Sequence, residues 1–326
     1  MVLLLAEKDL RQSLTMDEAI QCTETAFKEY HSGRLLMPPR MAVDLRSTAG
    51  SLRVMSASLP YLGRFGLKTL TGVPGKRDPH ESYFMVLLFD LKDGKVLSLM
   101  AGDYLTRVRT GAATGVATKY LSRNDSKSLG LFGAGVQAET QVLAISCVRS
   151  LSTVKIYDLY ENKAQELAKS IGNKLKAEIE IVDKPQIAAA NTDILVAVTT
   201  SKEPVIRGEL LRAGVHVNSV GANSPQKKEI DPQGFKISKI VVDFKDQVLE
   251  EAGDLRDAVA SGAITVEDIY GELGEIVSGV KPGRTNKDEI TLFKSVGIAI
   301  EDVAVATKAY ENALRKGLGK NITLSD

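Results

Sequence analysis

The segment Leu129-Gly-Leu-Phe-Gly133-Ala134-Gly135-Val136-Gln137-Ala138 joins an apolar run to a glycine turn and the start of a long helical pattern. That order suits a dinucleotide pyrophosphate. Gly133 permits the tight turn, Gly135 lets phosphate approach the backbone, and Ala138 lets the helix lie close on a sheet. Backbone N–H groups at the helix start, around Ala134, Val136 and Gln137, then face the negative charge. Further on, Val154-Lys-Ile-Tyr-Asp158 has the pattern of a second strand ending in an acid placed to accept from a ribose 2′-hydroxyl. A glycine-rich turn without a ligand would need no such acid, and this context separates the two readings.

Composition excludes several other classes. A chain of 326 residues is long enough for two cores. A hydrophobic share of 44% with 25% charged residues is that of an ordinary globular protein. A formal net charge of +1 argues against nucleic acid or an anionic membrane as partner. Cys22 and Cys147 have no metal-like spacing, and neither do His31, His80 and His216, so no metal is expected. His216 sits in a buried-looking strand and reads as a satisfied core residue. Met1-Val-Leu-Leu-Leu-Ala is short, lacks a basic leader and runs into Glu7-Lys-Asp9. It fails as a signal peptide or a span, and the expected location is cytoplasmic. There is no Gly-x-Ser-x-Gly elbow or Walker loop. Glu250-Glu251 and Glu301-Asp302 read as helix faces or caps.

The elements that must position the glycine turn follow from periodicity. Thr15-Met-Asp-Glu18 is a capping box opening a helix to about Tyr30. Strand patterns follow at Met41–Leu45, Leu52–Ser58, Arg64–Thr71 and Tyr83–Asp90, and Asp93-Gly94 turns a hairpin into Val96–Ala101. This first part is α+β with an antiparallel or mixed sheet. A helix from Tyr104 to Leu121 leads to the glycine turn, with a boundary near Ser122–Ser126. Beyond it, strands at Leu129–Phe132, Val154–Tyr157, Glu178–Val182, Ile194–Ala197, His216–Ser219 and Ile240–Val242 alternate with helices such as Glu161–Lys174. That is a doubly wound parallel sheet. A last helix, about Ile298–Leu318, is expected to return to the first domain. The expected domains are 1–122 with 300–326, and 123–299.

Several segments together resemble the ornithine cyclodeaminase/mu-crystallin family: Arg64-Phe-Gly-Leu-Lys68-Thr, Leu105-Thr-Arg-Val-Arg109-Thr-Gly-Ala-Ala-Thr, the glycine turn, Ser219-Val-Gly-Ala-Asn-Ser-Pro, Glu229-Ile-Asp231 and Lys294-Ser-Val-Gly297-Ile-Ala-Ile-Glu-Asp. The match runs collinearly over almost the whole chain. Its C-terminal third looks most like archaeal-type alanine dehydrogenases. The resemblance implies a Rossmann domain plus a substrate domain that forms a homodimer. It also implies NAD(P)-dependent hydride transfer to or from the α-carbon of a small amino or imino acid. Cyclic-ketimine reductase and alanine dehydrogenase are the leading forms. Ornithine cyclodeaminase is the runner-up, and a non-catalytic ligand-binding protein like mu-crystallin is a second alternative.

In the family pattern, Arg40 and Arg109 bind the substrate carboxylate, a task suited to the planar guanidinium fork. Arg40 follows Pro38-Pro39, and Arg109 lies early in its helix. Lys68 is the first catalytic choice: strand alternation turns it with Gly66, away from Phe65 and Leu67. Burial and neighbouring arginines would lower its pKa toward a useful range for proton exchange with the substrate nitrogen. Asn223 departs from the cyclodeaminase pattern, which places an aspartate here. An amide neither accepts a proton at neutral pH nor holds an ammonium by charge, which weighs against ornithine cyclisation. Asp231 reads as a helix cap. Thr110 resembles the family residue that touches phosphate, and Val220-Gly221 and Ser295-Val296-Gly297 the segments that flank the nicotinamide. Thr199-Thr200-Ser201 ends the fourth sheet strand, where a ligand crosses the carboxyl edge. Asp158 repels a 2′-phosphate and no arginine follows it, so NAD is favoured; Lys163 offers a partial counter-charge and keeps NADP as the alternative.

Overall fold

The computed structural model describes residues 1–45, 50–72 and 84–323. Along the chain run β1 (Val2–Leu5), α1 (Glu7–Ser13), α2 (Met16–His31), β2 (Met41–Leu45), β3 (Gly50–Leu59), β4 (Arg64–Gly72), β5 (Phe84–Asp90), β6 (Val96–Ala101) and α3 (Asp103–Leu121). Then come β7 (Ser128–Phe132), α4 (Ala138–Val148), β8 (Thr153–Tyr157), α5 (Glu161–Gly172), β9 (Glu178–Ile181), α6 (Pro185–Ala189), β10 (Ile194–Ala197), β11 (His216–Ser219), α7 (Pro232–Lys236) and β12 (Lys239–Val242). The chain ends with α8 (Lys245–Glu251), α9 (Gly253–Ala260), β13 (Ile269–Glu272), α10 (Leu273–Val277), β14 (Thr291–Lys294), α11 (Ala299–Lys316) and β15 (Lys320–Ile322). Tyr83, expected to open β5, and His80 lie outside the described residues. Two compact units result: Met1–Arg109 with Ile298–Asp326, and Thr110–Gly297.

The first unit is a seven-stranded mixed sheet in the order β15-β1-β6-β5-β4-β3-β2. Strands β2 to β6 pair antiparallel, as a meander of hairpins must. At the β5–β6 turn, Gly94 adopts φ +73° and Asp90 N–H donates to the Lys95 carbonyl. Helix α2 starts where the capping box places it: Thr15 accepts from Glu18 N–H and Glu18 accepts from Thr15 N–H. Helix α11 lies on β3, β4 and β5 and against α2, as expected for the last helix. It can approach because β4 carries glycine beneath it. A Cβ on Gly66 would stand 2.8 Å from the Leu87 carbonyl oxygen and 3.3 Å from Val303 Cγ2. The opposite face of this sheet stays partly open, with Met41, Val43 and Met85 about half exposed.

The second unit is an eight-stranded sheet in the order β13-β12-β14-β11-β10-β7-β8-β9, with its strand pairs parallel. The order reverses between β7 and β10, the switch point where open α/β sheets bind ligands at their carboxyl ends. Alternate residues feed two cores. Leu129, Leu131, Ile194 and Val196 pack with Val142 and Ile145 of α4, whereas Leu195, Ala197 and Val217 pack with Val248 and Leu255 of α8 and α9. Strands β1, β13, β14 and β15 are additions to the elements expected from periodicity; each is only three or four residues long, too short to establish a pattern.

Gly130 in β7 measures how tightly α6 closes this sheet. A Cβ there would meet the Ala188 carbonyl oxygen at 2.3 Å and Leu195 Cδ2 at 2.9 Å. Gly130→Ala is therefore expected to destabilise the chain by about 1–3 kcal/mol through overpacking. Urea unfolding should show a lower midpoint, and an unchanged midpoint would contradict this packing.

Candidate functional site

In the first unit, the alternation of β4 turns Lys68 inward beside Gly66, in register with Met55 of β3 and Val86 of β5. Lys68 is 2% exposed and its Nζ lies 2.7 Å from Asp302 Oδ1. Arg109, on α3, is also buried. Its Nη1 meets Glu301 Oε2 at 2.8 Å and its Nε meets Asp302 Oδ1 at 3.0 Å. Asp302 thus bridges the lysine and the arginine. Burial, the Arg109 charge and the Arg40 charge lower the Lys68 pKa to about 8, and Asp302 opposes the fall. Arg40 is half-buried in the segment just before β2. Lys68, Arg109 and Arg40 are therefore brought into one electrostatic neighbourhood.

The acids that complete this cluster correct the sequence reading. Glu301 and Asp302 do sit in the first turn of α11, yet neither forms a solvated face: both are buried with the run Ala299–Thr307. Helix α11 is enclosed on all sides along these turns, so charged side chains there need partners within the protein. The available signal was an adjacent acid pair inside Gly297-Ile-Ala-Ile-Glu-Asp-Val-Ala-Val-Ala, an otherwise apolar stretch.

In the second unit, the glycine turn has the geometry its sequence implies. Gly133 adopts φ +97°, and a Cβ there would stand 2.7 Å from the Val198 carbonyl oxygen. Around Gly135 a Cβ would meet nothing within 4 Å, so its face is open. Val136 and Gln137 form the turn into α4, and no side chain caps that helix start. A cavity of about 560 Å³ opens at this switch point. Gly133, Gly135, Asp158, Thr199, Thr200 and Ser201 all line it. Asp158 Oδ2 accepts from Ala134 N–H at 2.7 Å and Oδ1 from Tyr160 N–H at 2.9 Å, so the acid also fixes the turn. Lys163 lines the cavity with its ammonium over the Tyr160 ring. Thr110 precedes Gly111, where α3 lies so close to α4 that a Cβ would meet the Thr140 carbonyl oxygen at 2.5 Å.

Thr199, expected where a ligand crosses the carboxyl edge, follows β10, and the segments expected beside the nicotinamide follow the next strands: Val220-Gly221 after β11 and Ser295-Val296-Gly297 after β14. Two buried acids hold them, which the sequence did not disclose. Glu229 accepts from Thr199 N–H at 2.6 Å, Gly221 N–H at 2.9 Å and Ser219 Oγ at 2.9 Å. Asp243 accepts from Ser295 Oγ, Val296 N–H and Gly297 N–H at 2.7–2.8 Å. Behind them, Lys294 and Asp254 form a fully buried pair at 3.1 Å. Asn223 accepts at Oδ1 from Lys227 Nζ at 2.9 Å. Asp231 caps α7, accepting from Gly234 N–H. His216 is fully buried between Thr291 and Asn218, and burial lowers its pKa to about 3.

Comparison with known proteins identifies the family. The family model for the ornithine cyclodeaminase/mu-crystallin family matches residues 2–317. The chain is 38% identical over 323 residues to an alanine dehydrogenase of Archaeoglobus fulgidus, covering 98% of each chain. Among solved structures it is similar to the Δ1-pyrroline-2-carboxylate reductase of Thermococcus litoralis in complex with NADH and L-proline. That match has a TM-score of 0.94 and 41% identity, and it covers 98% of this chain and 100% of that one. It is also similar to an archaeal alanine dehydrogenase dimer with bound NAD, with a TM-score of 0.92 and 36% identity over 99% of both chains. The family model over nearly the whole chain and these relatives show that the chain belongs to the ornithine cyclodeaminase/mu-crystallin family.

Proposed function

We propose that this protein is an NAD(H)-dependent oxidoreductase that transfers hydride between nicotinamide and the α-carbon of a small amino or imino acid. The reaction is reduction of a cyclic ketimine or reductive amination of pyruvate. One observation carries the reading. Lys68, a proton carrier by type, and Arg109, a carboxylate clamp by type, are buried together around Asp302, with the Arg40 charge felt at Lys68. The planar guanidinium fork meets a substrate carboxylate with paired hydrogen bonds.

The second unit fits the cofactor. The open face of Gly135, the uncapped start of α4 and the cavity at the sheet's switch point suit a pyrophosphate and its adenosine. Asp158 takes the ribose hydroxyls, which favours NAD over NADP. Thr110 and the turn backbone hold phosphate, and Thr199–Ser201, Val220-Gly221 and Ser295–Gly297 form the shelf for the nicotinamide. When bound, the nicotinamide supplies or receives the hydride. Arg109 and Arg40 orient the carboxylate, and Lys68 exchanges the proton at the substrate nitrogen. The named reductase and dehydrogenase relatives support this substrate class. Ornithine cyclodeamination finds less support, because Asn223 offers neither charge nor base and its carbonyl oxygen is engaged by Lys227. A purely binding role would not call for a buried lysine poised near pH 8.

The working assembly in this reading is a homodimer. Phe65 stacks on Phe89 with ring centroids 4.8 Å apart, and together with Leu67, Leu87, Val43 and Met85 they form an apolar sheet face left half open in one chain. A second copy covers it. No helix among the described residues is long and apolar enough to cross a membrane. Two cysteines, Cys22 and Cys147, are too few for a disulfide framework, and the cytoplasm is the location this reading favours.

Oxidation of NADH and NADPH should be followed with pyruvate plus ammonia, pyrroline-2-carboxylate and piperideine-2-carboxylate, and ammonia release from ornithine measured separately. Turnover of at least one keto or imino acid with NADH and little or no ammonia from ornithine is expected. Robust proline formation from ornithine, or no turnover of any of them, would overturn the reading. Asp158→Ser should shift the NAD-over-NADP preference by about 10- to 100-fold toward NADP, the loss of one charged hydrogen-bond acceptor. Steady-state kinetics showing the preference unmoved would remove Asp158 from the cofactor site.

A further inference from the structure

Asp302 is not one of the residues expected from the sequence to act in the reaction, yet it is in direct contact with the proton-carrying lysine. Its Oδ1 is shared by Lys68 Nζ at 2.7 Å and Arg109 Nε at 3.0 Å. Its Oδ2 is buried and meets no hydrogen-bond donor among the described residues. Glu301, one residue earlier in the same helix turn and just as buried, pairs with Arg109, so of the two buried acids Asp302 is the one that contacts Lys68.

We propose that Asp302 is a positioning residue for proton transfer: it aims Lys68 Nζ and keeps that nitrogen protonated between turnovers. The inference rests on the reading of Lys68 as the proton carrier. In the reductive direction the imine carbon gains the hydride with its electron pair from the reduced nicotinamide, and the C=N π bond opens. The nitrogen takes a proton from Lys68 Nζ, which is left as a neutral amine and is reprotonated from water. The groups facing Nζ set how readily it recharges. Arg109 from α3 and Arg40 before β2 both disfavour the ammonium, and burial between β3, β5 and α11 adds to them; Asp302 favours it.

The sign of the effect on activity follows. Reduction needs the ammonium, so kcat/KM of the wild-type enzyme with NADH should fall on the basic side with an apparent pKa near 8. Removing the Asp302 charge should move that limb acidward by about 1–3 units, as for loss of an opposite charge in contact. Asp302→Asn should therefore lose tenfold or more in kcat/KM at pH 8 and recover most of it near pH 6, while Asp302→Glu should keep the limb in place. Glu301→Gln, equally disruptive of a buried pair, should raise KM for the carboxylate substrate without moving the limb. If Asp302→Asn fails to fold, Asp302→Ser gives the same test with a smaller uncharged side chain.

Two failures are distinguishable. If Lys68→Ala keeps most of its activity instead of losing about 10²–10⁴-fold, the reading of Lys68 itself falls. If Lys68→Ala is inactive but the basic limb of Asp302→Asn stays at its wild-type position, or the Asp302 and Glu301 variants lose activity equally at all pH values, Asp302 has only a structural role and the inference is overturned.

Discussion

Ionised groups taken out of water cost several kcal/mol each even after the protein relaxes, and they persist only with well-placed partners. The first unit withdraws Lys68, Arg109, Glu301 and Asp302 together and joins them at 2.7–3.0 Å. Much of its architecture serves that placement. The two cations arrive from β4 and α3, early in the chain, and the two acids from the start of α11, near its end. Helix α11 must therefore return to the first sheet, and Gly66 must leave room for Val303 to approach. Truncating Asp302 would take from buried Lys68 the carboxylate that it pairs with.

The second unit uses buried acids differently. Glu229, Asp243 and Asp158 collect backbone N–H groups from the loops at the carboxyl edge of the sheet. Each loop changes direction within a few residues of its strand, so its N–H groups have no ladder partner and need an acceptor. One carboxylate satisfies several at once and ties neighbouring loops together. Glu229 bridges the ends of β10 and β11 in this way. The resulting edge is preorganised for a ligand, with little chain entropy left to lose on binding.

How much of this was legible in the sequence depended on how local the cause was. The glycine turn, the acid ending β8, the hairpin at Asp93-Gly94 and the inward side of Lys68 are set by spacings of a few residues. All were readable. Strand β14 was not, though it lies between β11 and β12. Thr291-Leu-Phe-Lys294 ends in a lysine that looks solvated until Asp254, far off in sequence, is seen beside it. Glu301 and Asp302 were misread for the same reason: an acid pair at a helix start is normally a favourable exposed feature, and only tertiary enclosure makes it interior. The roles of Glu229 and Asp243 depend on which loops meet at the sheet edge, which pairing order alone decides.

The proposal that the Lys68–Arg109 cluster receives one substrate carboxylate is tested most directly by binding. L-Proline and L-prolinamide, which differ in that charge and keep the ring, should be titrated calorimetrically into the protein saturated with NADH. Losing a charge-assisted hydrogen bond to the guanidinium should weaken binding by about 10- to 100-fold for the amide. Comparable affinities for the two would contradict the account, because the cluster would then not be what receives the carboxylate.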